Sequence, residues 1–214
     1  MHSRRAIPWV TALLVFLTLL AWLHPAWSEM LIYNRTAILR GEVWRLWTGH
    51  LCHFSGSHLF WDLLATGLAS AWIEMAAFPG GRCLWLMAPP LISVALLLGE
   101  PTLQFYGGLS GLATAGVTFA CLGELGRPGA NRHFWRIILA VVVLKMGWEL
   151  LSGETLFAHF GGTGVRAVPL SHVAGAVAAL GVGAIYRRPN PPINHFSQSY
   201  GQLPLHRASG VPKP

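Results

Sequence analysis

Long apolar runs separated by short polar stretches dominate the pattern along this chain. The runs lie at residues 6–27, 57–78, 83–98, 109–125, 134–151 and 169–186. A helix that crosses a bilayer needs about 20 predominantly apolar residues, and these runs approach or reach that length. The run at 109–125 would measure roughly 26 Å, slightly short for the hydrocarbon core, so it can begin below the membrane surface. The pattern predicts an all-α membrane protein with a bundle of six transmembrane helices.

The stretches between the runs predict loops of different kinds. Residues 29–49 alternate arginines with tryptophans and leucines, which is typical of a loop in the membrane interface; a solvated loop with a hydrophobic staple fits the periodicity equally well. Pro79-Gly80 indicates a tight turn, and Pro89-Pro90 predicts a kink in the third helix. We predict a glycine-rich loop at 152–168 and a disordered cytoplasmic tail at 187–214. Residues 1–186 then form one membrane domain.

The first run is either a retained helix or a cleaved signal peptide. It follows Arg4 and Arg5 and contains no charged residue when His24 is neutral. The run is long for the apolar core of a signal peptide, and no clean A-x-A cleavage site follows it. We therefore expect a retained first helix.

Composition strengthens the membrane prediction and excludes other classes. Of 214 residues, 53% are hydrophobic and 11% are charged, whereas ordinary soluble domains contain about 25% charged residues. The net charge of +7 comes from a scarcity of acids and not from a basic cluster, so we expect no nucleic-acid partner. Cys52, Cys83 and Cys121 are far apart and form no CxxC pair, which argues against a disulfide framework.

The charge of the loops predicts how the helices are oriented. Six crossings place both termini on one side, which would hold ten lysines and arginines, while the opposite side would hold four. Positive charge accumulates in cytoplasmic loops, so we predict cytoplasmic termini. The helices that begin near residues 109 and 169 would then both start near the outer face.

These two helix starts carry a serine and a histidine. Ser110 lies in the glycine-rich sequence Tyr106-Gly107-Gly108-Leu109-Ser110-Gly111, and His172 lies in Ser171-His172-Val173-Ala174-Gly175. A histidine can take the proton of a serine near neutral pH, and helix N-terminal N–H groups can stabilise an oxyanion. Small residues spaced four apart are also ordinary helix-packing devices, so packing alone remains an alternative. No aspartate lies near in sequence, and we predict a Ser110–His172 dyad.

A second group of polar residues begins the second helix. His58 and Asp62 are four residues apart and share a helix face, and His50 and His53 precede them. One reading is an oxyanion site in which an oriented His58 donates a hydrogen bond. Another is a zinc site, since histidines and a carboxylate are plausible ligands, although HExxH is absent. For His50 and His53 we favour a structural role, capping or holding the loop.

Three further charged residues lie within the predicted helices. Lys145 and Glu149 are spaced i, i+4 and can pair, while Glu74 lies near the cytoplasmic end of the second helix and can cap or tie it. They do not line up at one depth as residues along a transport pathway would. We interpret all three as structural.

The motifs together resemble the rhomboid intramembrane serine proteases. The resemblance is carried by Trp44-Arg45, His53 with His58, Glu74, Gly108-Leu109-Ser110-Gly111 and Ser171-His172-Val173-Ala174-Gly175, and it extends from about residue 42 to 186. It implies a six-helix fold, a Ser110–His172 dyad, acyl-enzyme chemistry and no cofactor. It also implies an oxyanion site formed near His58 and the Gly108-Leu109-Ser110 backbone, with support from His53 and Asp62. The implied substrates are transmembrane segments that unwind at small residues near the outer face.

The chain departs from the usual rhomboid pattern at two positions. Asp62 stands where an asparagine is usual, so it must be protonated to donate a hydrogen bond or must act as an acceptor that orients His58. Thr114 stands where an aromatic residue often follows the serine. The aspartate and the compact chain resemble the rhombosortase branch, a bacterial subgroup. That likeness implies an inner-membrane protein that processes secreted proteins ending in a Gly-Gly motif, an apolar helix and a basic end.

The expected function is therefore a serine endopeptidase of the membrane, with transmembrane proteins and the lipid bilayer as partners. A catalytically inactive rhomboid relative that binds membrane proteins is the first alternative. A metal-dependent membrane protein using the histidine cluster is the second. The oligomeric state has no signature in the sequence.

Overall fold

The computed structural model describes residues 7–154 and 168–186. Within them the chain is mostly helical, with a single two-stranded sheet. The helices are α1 (Trp9–Leu23), α2 (Pro25–Leu31), α3 (Arg35–Leu39), α4 (Arg45–Thr48), α5 (Gly56–Met75), α6 (Gly81–Gly99), α7 (Ser110–Leu125), α8 (Arg132–Ser152) and α9 (Pro169–Tyr186); the strands are β1 (Tyr33–Asn34) and β2 (Phe105–Tyr106). The predicted tail and most of the predicted loop at 152–168 lie outside the described residues.

A helix occupies each of the six apolar runs, but the first run is broken. It ends as α1 at Leu23, and α2 leaves at an angle of 114° after His24. Pro25 explains the break, because a proline restricts the preceding residue to extended conformations and starts a helix well. The expectation of one continuous helix to residue 27 was wrong. The third run is one 19-residue helix that continues through Pro89 and Pro90.

Two of the helices, α6 and α9, are long and apolar enough to cross a membrane among the described residues. The bent pair α1 and α2 makes a third if it is counted as one span. The helix α7 is apolar but has only 16 residues. The described part of the chain therefore has two or three candidate spans, which supports a membrane protein.

The core is built around α7, which packs against α5, α6, α8 and α9. Small residues let these helices approach closely: a Cβ added at Gly116 would lie 2.7 Å from the Trp85 ring. By contrast, α8 is buried only at Glu149 among its 21 residues. The most enclosed helix is therefore the one that begins with Ser110.

The loop before α5 is folded and is held by Arg45, which is 8% exposed. Its Nη1 donates to the carbonyls of Glu29 and Ile32, and its Nε donates to the Glu42 carboxylate at 2.7 Å. Trp44 and Trp47 are partly exposed on the same segment. In β1, Tyr33 pairs with Tyr106 of β2, so the loop is joined to the chain just before α7.

Glu74 is structural, as expected, but it ties a different helix. Its carboxylate accepts hydrogen bonds from the backbone N–H groups of Val10 and Thr11 at 2.9 and 2.8 Å and from the Thr11 hydroxyl. These N–H groups have no acceptor within α1, because they belong to its first turn. A side chain from α5 therefore caps the N-terminus of α1.

The three cysteines, Cys52, Cys83 and Cys121, are all free thiols.

Candidate active site

Ser110 is the first residue of α7. Gly108 makes the turn before it with φ +124°, a backbone conformation that side-chain-bearing residues rarely adopt. The first helical bond runs from Ala113 N to Leu109 O at 2.7 Å, and no side chain caps the helix. The backbone N–H groups at the start of α7 are therefore directed outward beside the Ser110 hydroxyl without intrahelical acceptors.

His172 lies in the first turn of α9 and is 3% exposed. Pro169 begins this helix. Proline is well tolerated there, because the backbone N–H that it lacks would have no acceptor within the helix. The Nδ1 atom of His172 is 2.6 Å from Oε2 of Glu149 on α8. The other oxygen of Glu149 is 2.6 Å from Lys145 Nζ.

The starts of α7 and α9 are in backbone contact. A Cβ added at Gly111 would lie 2.9 Å from the carbonyl oxygen of Ser171, and one added at Gly175 would overlap the carbonyl oxygen of Gly111. Gly111 follows Ser110, and Ser171 precedes His172, so the two predicted residues lie at this contact. In the described structure their hydrogen bonds go elsewhere: His172 bonds Glu149, and the Ser110 carbonyl accepts from Thr114.

Tyr106 of β2 lies beside the same contact and is 5% exposed. Its hydroxyl donates to the carbonyl oxygen of Gly108 at 3.5 Å, two residues before Ser110. Burial raises the pKa of Tyr106 to about 12. Tyr106 therefore stays a neutral hydrogen-bonding group next to Ser110. Sequence reasoning gave Tyr106 no role, although it begins the motif that contains Ser110.

His53, His58 and Asp62 form a compact cluster on the other side of Gly108. The Nε2 atoms of both histidines are 3.1 Å from the same oxygen, Asp62 Oδ2. A Cβ added at Gly108 would lie 2.5 Å from His58 Nε2 and 3.0 Å from Asp62 Oδ2. The cluster therefore lies against the turn that precedes Ser110. The predicted pairing of His58 with Asp62 is therefore present.

His53 belongs to this cluster, and the expectation that it only holds the loop was incomplete. Its Nδ1 contacts Leu51 O at 3.2 Å, while its Nε2 reaches Asp62. His50, by contrast, holds the loop as expected: its Nε2 contacts Pro89 O and Ser93 Oγ at 3.0 and 3.1 Å. Burial lowers the pKa of His50 to about 4, so it is neutral at physiological pH.

The nitrogen and oxygen ligand atoms of His53, His58 and Asp62 lie within 4.8 Å of one another. This spacing is compatible with three ligands of one zinc ion, and His50 is not part of the set. Without a metal, the Nε2 atoms of both histidines are already within hydrogen-bonding distance of Asp62 Oδ2. The donor set therefore fits a metal but does not require one.

The sequence-based interpretation of Glu149 as a structural partner of Lys145 was incomplete. Its pairing with Lys145 was predicted and is present, but its contact with His172 was not anticipated. The available signal was an ionisable residue inside a predicted membrane helix, which usually has a functional partner. Comparison with known proteins found no family model and no curated protein that matches this chain.

Proposed function

We propose that this protein is a rhomboid-type serine endopeptidase of the membrane, with Ser110 as nucleophile and His172 as its base. The observation that carries the proposal is the backbone contact between Gly111 and Gly175, which brings the starts of α7 and α9 together. A buried histidine next to a serine at a helix N-terminus fits acyl transfer better than simple packing.

The chemistry follows from these groups. The Ser110 oxygen attacks the scissile carbonyl while its proton passes to Nε2 of His172. The same proton then goes to the leaving amine as the peptide C–N bond breaks, which leaves an acyl-enzyme. Water, deprotonated by His172, releases the acyl group and restores the Ser110 hydroxyl. The backbone N–H groups at the start of α7 stabilise the negative oxygen in both steps.

The cluster of His53, His58 and Asp62 supports the site from the other side. Nε2 of His58 is paired with the Asp62 carboxylate, so this nitrogen could donate a hydrogen bond to an oxyanion only if that pairing broke. We therefore assign the cluster to holding the wall against which Gly108 packs, and the α7 backbone to the oxyanion itself.

The finer features of the proposal come from the resemblance. They are a six-span bundle in a bacterial inner membrane, cytoplasmic termini, and transmembrane substrates cut near the outer face. A Gly-Gly sequence in the substrate suits this site, because glycines weaken a helix and expose the scissile carbonyl, which helical hydrogen bonds otherwise occupy.

A serine-directed fluorophosphonate probe tests the proposal. The wild-type protein in detergent micelles is expected to be labelled, and Ser110→Ala and His172→Ala are expected to lose labelling. Equal labelling of wild type and Ser110→Ala would overturn it. Co-expression with a protein ending in a Gly-Gly motif and an apolar helix tests the substrate class, since only the wild type should clip it. Binding of that protein without clipping would favour the inactive relative.

A metal-dependent protein is the second candidate, and the compact His53–His58–Asp62 set favours it. It predicts stoichiometric zinc in the purified protein and loss of activity with a strong chelator. Retained zinc binding in His53→Ala would exclude these residues as the ligands, while chelator-insensitive labelling would exclude a catalytic metal.

A further inference from the structure

Glu149 contacts His172, one of the two residues of the proposed dyad. On the basis of the protease function above, we propose that Glu149 is a positioning residue that holds His172 in the reactive tautomer and orientation, and that Lys145 keeps the Glu149 carboxylate charged. Rhomboids, by the resemblance, act through a serine and a histidine alone, so this chain would differ by using an acid.

The geometry of the His172–Glu149 pair carries the inference. The Nδ1–Oε2 distance is 2.6 Å, slightly below the range of about 2.7–2.9 Å for a charge-assisted N–H···O bond, so the two atoms are directly hydrogen-bonded. An ionised carboxylate can only accept, so Nδ1 must carry the hydrogen and donate it. The Nε2 atom is then unprotonated in the neutral ring and can take the proton of Ser110. The opposite tautomer would offer Ser110 a donor where catalysis needs an acceptor.

Burial makes this pairing specific. The side chains of Glu149 and His172 are 1% and 4% exposed, so water does not replace either partner. Glu149 is also the single buried residue of α8, whose other residues are half-buried or exposed. The otherwise loosely packed helix α8 therefore presents one enclosed group, and that group meets His172.

Lys145 provides the second contact of the carboxylate. Its Nζ is 2.6 Å from Oε1, one helical turn before Glu149, and its side chain is 25% exposed. A charge enclosed in a low-dielectric interior is strongly unfavourable unless it is paired. The ammonium group therefore favours the ionised carboxylate, which is the form that accepts from Nδ1. The proton relay would run from Ser110 to His172, with Glu149 stabilising the imidazolium and staying ionised itself.

Glu149→Gln tests the role because an amide can donate to Nδ1 and favour the wrong tautomer. We expect kinact for the fluorophosphonate probe to fall between about 10²- and 10⁴-fold while KI stays near the wild-type value. Glu124→Gln is the matched control: Glu124 is also a buried carboxylate, 6% exposed and paired with Arg127, but it lies at the far end of α7. Glu124→Gln is expected to lower the unfolding temperature and to leave kinact unchanged.

The outcomes separate this inference from the proposed function. If Glu149→Gln keeps kinact within roughly threefold of wild type while Ser110→Ala is unlabelled, the positioning role is overturned and the protease stands. If wild type and Ser110→Ala are labelled equally, the proposed function itself fails. Should Glu149→Gln not fold, ¹⁵N NMR of histidine-labelled wild type gives the tautomer directly, with His172→Ala identifying the signal. Protonated Nδ1 with unprotonated Nε2 is expected, and the reverse would overturn the inference.

Discussion

Replacing Gly175 by alanine should separate the two helix starts that form the candidate active site. The added Cβ would overlap the carbonyl oxygen of Gly111 and would also lie 3.1 Å from its carbonyl carbon and 3.4 Å from Ala115 N. All three atoms belong to the α7 backbone, so no flexible side chain can move aside. The helices must therefore shift relative to each other by about 1 Å to restore a normal separation.

The expected magnitude differs between stability and activity. Overpacking of this kind costs about 1–3 kcal/mol, and part of it is offset by the better helix propensity of alanine, roughly 1 kcal/mol. A displacement of about 1 Å between nucleophile and base can cost on the order of 10²-fold in rate. We therefore expect Gly175→Ala to remain mostly folded and to lose about 10²-fold in the rate of fluorophosphonate labelling at Ser110.

Gly181→Ala is the matched control, because Gly181 lies on the same helix and has no atom within 4 Å of an added Cβ. This variant should label at the wild-type rate and unfold at the same or a slightly higher temperature. Thermal unfolding in detergent and labelling kinetics would be measured on both variants. Wild-type labelling by Gly175→Ala, with an unfolding temperature equal to that of Gly181→Ala, would refute the role of this contact.

Three further substitutions or conditions test other parts of the structure. Arg45→Lys should lower the free energy of unfolding by roughly 1–3 kcal/mol, because an ammonium group cannot reproduce the guanidinium contacts to two carbonyls and Glu42; unchanged thermal unfolding would contradict this. Glu74→Gln should cost about 1–2 kcal/mol, since the amide has one oxygen for the two N–H groups at the start of α1; chemical unfolding would measure it. The pKa of His50 is lowered to about 4 from 6.5, so protonation favours the unfolded state. Its contribution to stability is complete above pH 6.5 and falls by roughly 3 kcal/mol as the pH drops to about 4. His50→Gln should show a smaller loss over that range, and an equal loss in both proteins would exclude His50 as the cause.

The apolar runs were enough to locate the six longest helices, because each of them needs a long and mostly apolar stretch. Ser110 at the start of α7 also followed from sequence, since Gly107 and Gly108 precede it. The pair His58 and Asp62 was predicted from its i, i+4 spacing and is present. Local periodicity and turn residues are thus sufficient where the contact lies within one element.

Contacts between distant elements could not be predicted in the same way. Glu149 and His172 are 23 residues apart on two helices, and their meeting depends on how α8 packs near α9. His53 reaches Asp62 from a loop, nine residues earlier in the chain. No residue pattern specifies these approaches, because they depend on the rotation of each helix about its axis. The break at Pro25 is different, since the proline was a visible signal whose consequence was missed.

The strand pairing of Tyr33 with Tyr106 connects the loop before α5 to the start of α7. Tyr106 is hydrogen-bonded to the loop on one side and lies only four residues before Ser110 on the other. A displacement of the exposed loop surface, by a substitution or by a change in the surrounding membrane, would be transmitted mechanically to Ser110, the proposed nucleophile, through this short connection. The proposed activity would therefore depend on membrane composition even when Ser110 and His172 are both intact.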